Sequence, residues 1–165
     1  MIYLDSSAVV KLALAEPESE ALAGYLAERA GQALVSSPLH RAEVLRAIWR
    51  AEPGALPRAQ RIIRRISLIT LTRDLLDNAA TVPPDGLPTA AAIHLASALT
   101  VKQDLTAFVC YDKQLAAAAG AAGLPVAAPA YGPARRVRNR RASCGVLGTV
   151  RENGPSVAVR RCERR

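Results

Sequence analysis

The sequence is short of most residues on which common active sites are built. It has three cysteines, Cys110, Cys144 and Cys162, and none of them share a CxxC spacing. So sparse and odd a set excludes a disulfide framework and a zinc site, and points to a reducing compartment. Aromatic residues make up 4% of the chain, too few for a base-stacking platform. No GxGxxG occurs, nor a GxxxxGK followed by Ser or Thr, so the usual phosphate-cradling loops are excluded. Ser6, Ser7, Ser36 and Ser37 lie outside any GxSxG elbow. Long hydrophobic runs are absent too. The most apolar window, AAAAGAAGLPVAAPA at 116–130, is too short to span a bilayer and holds two prolines. The opening MIYLDSS has no basic n-region and puts Asp5 where a signal peptide would be apolar. A soluble, cytoplasmic protein without membrane association is expected.

The chain has 165 residues, which suits one domain with a real core. Its net charge of +8 suggests nucleic acid, but the excess is local. Residues 1–130 carry 12 Lys+Arg and 12 Asp+Glu, whereas residues 131–165 carry 10 Arg and 2 Glu. The body is therefore neutral, and the last stretch holds the whole excess. That stretch, YGPARRVRNRRASCGVLGTVRENGPSVAVRRCERR, has no sustained hydrophobic period and few large apolar residues. It reads as a disordered, Arg-rich tail following a domain at 1–130. Counterion release would let it bind RNA non-specifically, although a terminal extension without a dedicated role is the simpler reading.

Within the body, short apolar runs alternate with helical periods. IYLD (2–5), ALVSS (33–37), SLITLT (67–72), AFVCY (107–111) and LPVAA read as strands. SSAVVKLALA, ESEALAGYLAERAG, PLHRAEVLRAIWRA, LPRAQRIIRRI, RDLLDNAA, TAAAIHLASALTVKQ and DKQLAAAAGAAG read as helices. Pro38 suits a first helical turn and Gly31 a helix C-terminus. TVPPDGLP (81–88) is a loop by its prolines and glycine. Strands that alternate with helices predict a three-layer α/β/α fold around a mostly parallel sheet of four to five strands.

In such a sheet, sites form beyond the carboxyl ends of the strands. Asp5 and Asp112 lie at two such ends, and Glu43 lies one turn into the helix after the second strand. Carboxylates gathered in one cleft need a cation to stay ionised together, and an all-oxygen set suits Mg²⁺ or Mn²⁺. Each acid also has a plainer reading. Asp5 and Asp112 could cap helices, and Glu43 could pair with Arg46. His94, alone on an apolar helix, reads as a packing residue, and His40 has no partner that sequence identifies. Arg58, Arg61 and Arg65 form a basic stripe, most simply a solvated face.

Taken in order, IYLDSSAVVKL, SSPLHRAEVLRA, AAIHLASAL and FVCYDKQLAAAAGAAGLPV resemble the motif blocks of a PIN domain, and more narrowly of VapC-type toxins of bacterial toxin–antitoxin pairs. The resemblance covers about residues 1–128. It implies a Mg²⁺- or Mn²⁺-dependent ribonuclease that forms a homodimer and is held inactive by a cognate antitoxin. It carries the catalytic and metal-binding acids onto Asp5, Glu43 and Asp112. Two departures stand out. The acid expected immediately before Ala92-Ile93-His94 is Ala91, and Cys110 stands where Thr or Ser is frequent. The resemblance thus implies an attenuated nuclease. The alternative is a catalytically inactive PIN-domain protein that dimerises and sequesters antitoxin.

Overall fold

The computed structural model describes residues 1–130; the tail reading for 131–165, with Cys144 and Cys162, falls outside the described residues. Five parallel strands form one sheet in the order β3-β2-β1-β4-β5. They are β1 (Ile2–Leu4), β2 (Leu34–Ser36), β3 (Ser67–Leu68), β4 (Ala107–Val109) and β5 (Val126–Ala127). Seven α-helices occur among the described residues: α1 (Ser6–Ala13), α2 (Ser19–Ala27), α3 (Leu39–Ala51), α4 (Leu56–Ile63), α5 (Arg73–Thr81), α6 (Thr89–Thr100) and α7 (Lys113–Ala121).

The strand period of two sorts the core into two layers. Ile2, Leu4, Ala107 and Val109 turn to one face and pack with α1–α4 through Val9, Leu22, Val44, Ile48 and Ile63. Tyr3, Val35, Phe108 and Cys110 turn to the other and pack with α6 and α7 through Leu95, Ala98, Leu115 and Ala119. Tyr3 and Phe108 stack at 5.1 Å between ring centroids. All of β1 is fully buried, as the central strand of a sheet covered on both faces must be. Among the described residues no helix is long and apolar enough to cross a membrane.

Chain order reverses between β1 and β4. From β1 the chain enters α1 on one face, and from β4 it enters α7 on the other. The two exits therefore part at a topological switch point, where a crevice opens at the strand ends. Asp5 N–H donates to Val109 O at 3.0 Å, which ties the two exits together.

Three local expectations shift. The third strand is two residues long rather than six. It is an exposed edge, and Thr72 is withdrawn from it to cap α5 through Leu75 N. Pro38 stands at the N-cap of α3, not inside its first turn, although its φ of −52° is already helical. Gly31 does not end α2, which closes at Glu28. The glycine that ends a helix is Gly123, with φ +76°, after α7. Leu124 N–H bonds Ala119 O at 3.0 Å and Gly123 N–H bonds Gly120 O at 2.9 Å, the paired bonds of a Schellman motif.

Candidate active site

Asp5 follows β1 directly and caps α1. Its Oδ2 accepts from Ser7 N–H at 3.1 Å and from the Ser7 hydroxyl at 2.6 Å. The Cys110 thiol, across the switch point on the β4 side, donates to the same oxygen at 3.6 Å. Ser7 Oγ in turn accepts from Tyr111 N–H at 2.9 Å. The capping reading of Asp5 is thus met. Oδ2 holds the helix, while Oδ1 lies 3.8 Å from His94 Nε2. Asp5 is only 5% exposed, so these donors replace the water its carboxylate has lost.

Glu43 comes from α3, beside the buried stripe of His40, Val44 and Ile48. It does not pair with Arg46. Its Oε2 accepts from Ser6 Oγ at 2.5 Å and from His94 Nε2 at 2.9 Å. Burial opposes ionisation of Glu43, but the hydrogen bonds from His94 and Ser6 outweigh it and hold the carboxyl below the usual glutamate range. Two acids 38 positions apart in sequence thereby converge on one histidine nitrogen.

His94 is where the sequence reading needs correcting. It is buried, as a packing residue would be, but it is not a bystander. Its Nδ1 faces the Tyr3 hydroxyl at 2.8 Å, and Tyr3 accepts from Ser37 N–H at 3.1 Å. The sequence did hold a signal for this. Ala91 and His94 are three apart on one helix and share a face. If the first is expected to line the cleft, the second lines it too. Ser6, in contact with both Glu43 and His94, was missed because nothing in LDSS separates a cleft-lining serine from a helix-starting one.

Asp112 sits at the exit of β4 and caps α7, its Oδ1 accepting from Leu115 N–H at 2.8 Å. Cys110 is fully buried, and burial, followed by the nearby Asp5 charge, pushes its thiol far above the ordinary range. It therefore acts as a protonated weak donor, not as a nucleophile. Ala91 is half-buried on the first turn of α6 and offers only a methyl group. His40 Nδ1 pairs with Ser37 O at 2.7 Å, while its buried Nε2 has no partner among the described residues.

Among the described residues, no three His, Cys, Asp or Glu side chains close into a ready-made metal cage. Asp112 Oδ1 is engaged in the α7 cap, and position 91 supplies no oxygen. The donor chemistry at Asp5 and Glu43 nevertheless suits a hard cation. Mg²⁺ keeps several waters and is commonly held by one or two carboxylates.

The basic stripe along α4 and just beyond its end is solvent-exposed, as expected. Arg58, Arg61 and Arg65 also line a groove of about 360 Å³ with Leu4, Leu12 and Ile62. It lies on the α1–α4 face.

Comparison with known proteins agrees with this architecture. Residues 2–121 match the family model of the PIN domain. Ribonuclease VapC47 of Mycobacterium tuberculosis (strain CDC 1551 / Oshkosh) is 37% identical over 132 residues, spanning 78% of this chain and 97% of the relative. Ribonuclease VapC46 of the same species (strain ATCC 25618 / H37Rv) is 43% identical over 128 residues, with the same coverage of 78% and 97%. The crystal structure of VapBC2 from Rickettsia felis bound to a DNA fragment from their promoter is similar in fold, with a TM-score of 0.58 at 12% identity. It covers 78% of this chain and 99% of that one. With the family model and these relatives added to the parallel sheet and the acids at its switch point, the chain belongs to the PIN-domain family, alongside ribonucleases of the VapC type.

Proposed function

We propose that the chain is a divalent-metal-dependent endoribonuclease toxin of a toxin–antitoxin pair, attenuated at its metal site. The observation that carries this is the meeting of Asp5 and Glu43 at the switch point, both turned to His94 Nε2. Asp5, Glu43 and Asp112 are the acids proposed to hold Mg²⁺ or Mn²⁺. Such an ion, when bound, lowers the pKa of a coordinated water and offsets charge on a phosphate being cut. The reaction is hydrolysis of an RNA phosphodiester: water attacks phosphorus, and the bond to the leaving ribose oxygen breaks. In the protein itself, Ser7 fixes Asp5, while Ser6 and His94 fix Glu43. The low pKa of Glu43 keeps it ionised at neutral pH, which suits it to orient the attacking water.

Ala91 is the reason to expect attenuation. A methyl group cannot ligate a cation, so the ion would be held more weakly and placed less well. Small misplacements cost about 10²-fold in rate. The resemblance to VapC toxins also supports a homodimer, a cognate antitoxin as partner and a cytoplasmic location. The test is cleavage of structured RNA with Mg²⁺ or Mn²⁺, by this chain and by an Ala91→Asp variant whose fold is checked by circular dichroism. Metal-dependent cleavage that rises in the variant is expected. A folded variant that stays silent at every metal concentration would sink the site assignment.

The methyl group at position 91 also favours a second reading, a catalytically inactive PIN-domain protein that dimerises and sequesters antitoxin. Co-purification with the product of the adjacent upstream gene, without cleavage by either version of the chain, would select it.

A further inference from the structure

We propose that His94 is a positioning residue for Glu43, held in one tautomer by a hydrogen-bond relay that starts at the end of β2. The proposal rests on the nuclease reading for its consequence, though not for its geometry. Nε2 of His94 lies 2.9 Å from Glu43 Oε2 and 3.2 Å from Ser6 Oγ. Glu43 is ionised and can only accept, and Ser6 gives its single proton to Glu43. A bare lone pair on Nε2 would then face only acceptor oxygens at contact distance. Nε2 therefore carries the hydrogen.

The other ring nitrogen completes the logic. In a neutral imidazole with Nε2–H, Nδ1 is an acceptor, and the Tyr3 hydroxyl donates to it at 2.8 Å. Tyr3 is itself oriented by Ser37 N–H and by its stack on Phe108. Tyr3 and His94 meet edge to face, with centroids 5.9 Å apart. Both side chains are nearly or fully buried, so no water competes for these bonds. The relay runs from Ser37 N–H to Tyr3 O–H, then to His94, and ends at Glu43. It joins the C-terminal end of β2 and the centre of β1 to a carboxylate on α3.

The consequence is a Glu43 held by one oxygen. Ser6 and His94 both bind Oε2, so rotation of the carboxylate is removed and the direction of Oε1 is set. Position 91 supplies no carboxylate to share that task. Orientation of Glu43 then depends on this pair of donors.

Two measurements on the full-length chain test the proposal. Long-range ¹H–¹⁵N NMR of the histidine rings at pH 8 should show His94 as the Nε2–H tautomer. A Tyr3→Phe variant, which keeps the stacking ring, should show a mixture of tautomers. An Nδ1–H tautomer in the parent chain, or an unchanged ring in Tyr3→Phe, would overturn the relay. The second measurement is steady-state RNA cleavage in the Ala91→Asp background. His94→Gln, whose amide can replace Nε2–H, should stay within about threefold of its parent in kcat. His94→Leu should fall by about 10- to 100-fold in kcat at unchanged KM, the size seen when outer-shell partners are removed. Equal kcat for the Gln and Leu variants would reduce His94 to packing. If no version cleaves RNA, the nuclease reading fails, and the NMR result still decides the relay.

Discussion

Restoring an acid at position 91 perturbs the smallest part of the cleft with the largest expected effect. Ala91 is the third residue of α6, whose first turn carries no acid. An Asp there gains about 0.3–1 kcal/mol from the helix N-terminus and loses up to about 0.7 kcal/mol in helix propensity. Those terms nearly cancel, so the fold should tolerate the change. Repulsion from Asp5 and Glu43 adds a cost of about 1–4 kcal/mol, taking a carboxylate pair at roughly 4 Å between a water-like and a protein-like environment. The metal-free variant should thus melt several degrees lower. Added Mn²⁺ at about 100 times its Kd contributes about 2.7 kcal/mol, which for a domain of this size is roughly 10 °C. The assay is differential scanning fluorimetry with and without Mn²⁺, on the parent chain and on Ala91→Asp. The expected result is that the variant is less stable than the parent without metal and gains more from it. Parallel melting curves at every Mn²⁺ concentration would refute the reasoning, because the new carboxylate would then face no cation site.

Three other predictions follow from the same contacts. Asp112 has two proposed duties, which substitution separates: Asp112→Asn should keep the α7 cap and lose RNA cleavage, while Asp112→Ala should lose cleavage and about 1 kcal/mol of stability in urea denaturation. Burial holds His40 below its usual range, with Ser37 O opposing that shift, and the ionisable side chains around it are those of His94, Arg41 and Glu43. The folded pKa lies below the unfolded value of about 6.5, so this stability is present above pH 6.5 and is lost as pH falls through the folded pKa. The urea midpoint should therefore drop below pH 6.5, by at most about 1.4 kcal/mol per pH unit for one proton, and His40→Asn should flatten that drop. Gly123→Ala places a side chain at φ +76°, with its Cβ 3.0 Å from Lys102 Nζ. It should cost about 1–2 kcal/mol in thermal unfolding; a neutral result would mean the helix end relaxes freely.

Much of this architecture could be read from periodicity alone. All five strands and seven helices were marked by apolar runs, prolines and helical stripes, because a buried parallel sheet leaves strands as short apolar runs. What could not be read was set by tertiary choice. SLITLT has six residues of strand character, yet an exposed edge keeps two and gives Thr72 to a cap. Gly31 and Gly123 look alike in sequence, and only Gly123 takes the left-handed conformation. Asp5 and Asp112 were expected at strand ends, and the fold places them there. His94 was underread because a lone histidine among alanines gives no hint that a tyrosine 91 residues earlier orients it. Spacing from Ala91 was the one local clue. The capping reading of Asp5 leaves its second oxygen uncommitted to the helix, 3.8 Å from His94 Nε2.

The central claim is that Asp5, Glu43 and Asp112 form a cation site weakened at position 91. Anomalous diffraction from Mn²⁺-soaked crystals of the parent chain and of Ala91→Asp tests it most directly. The account predicts a manganese peak among these three acids in both crystals, at lower occupancy in the parent. A peak elsewhere, or none among these acids in the variant, would contradict it.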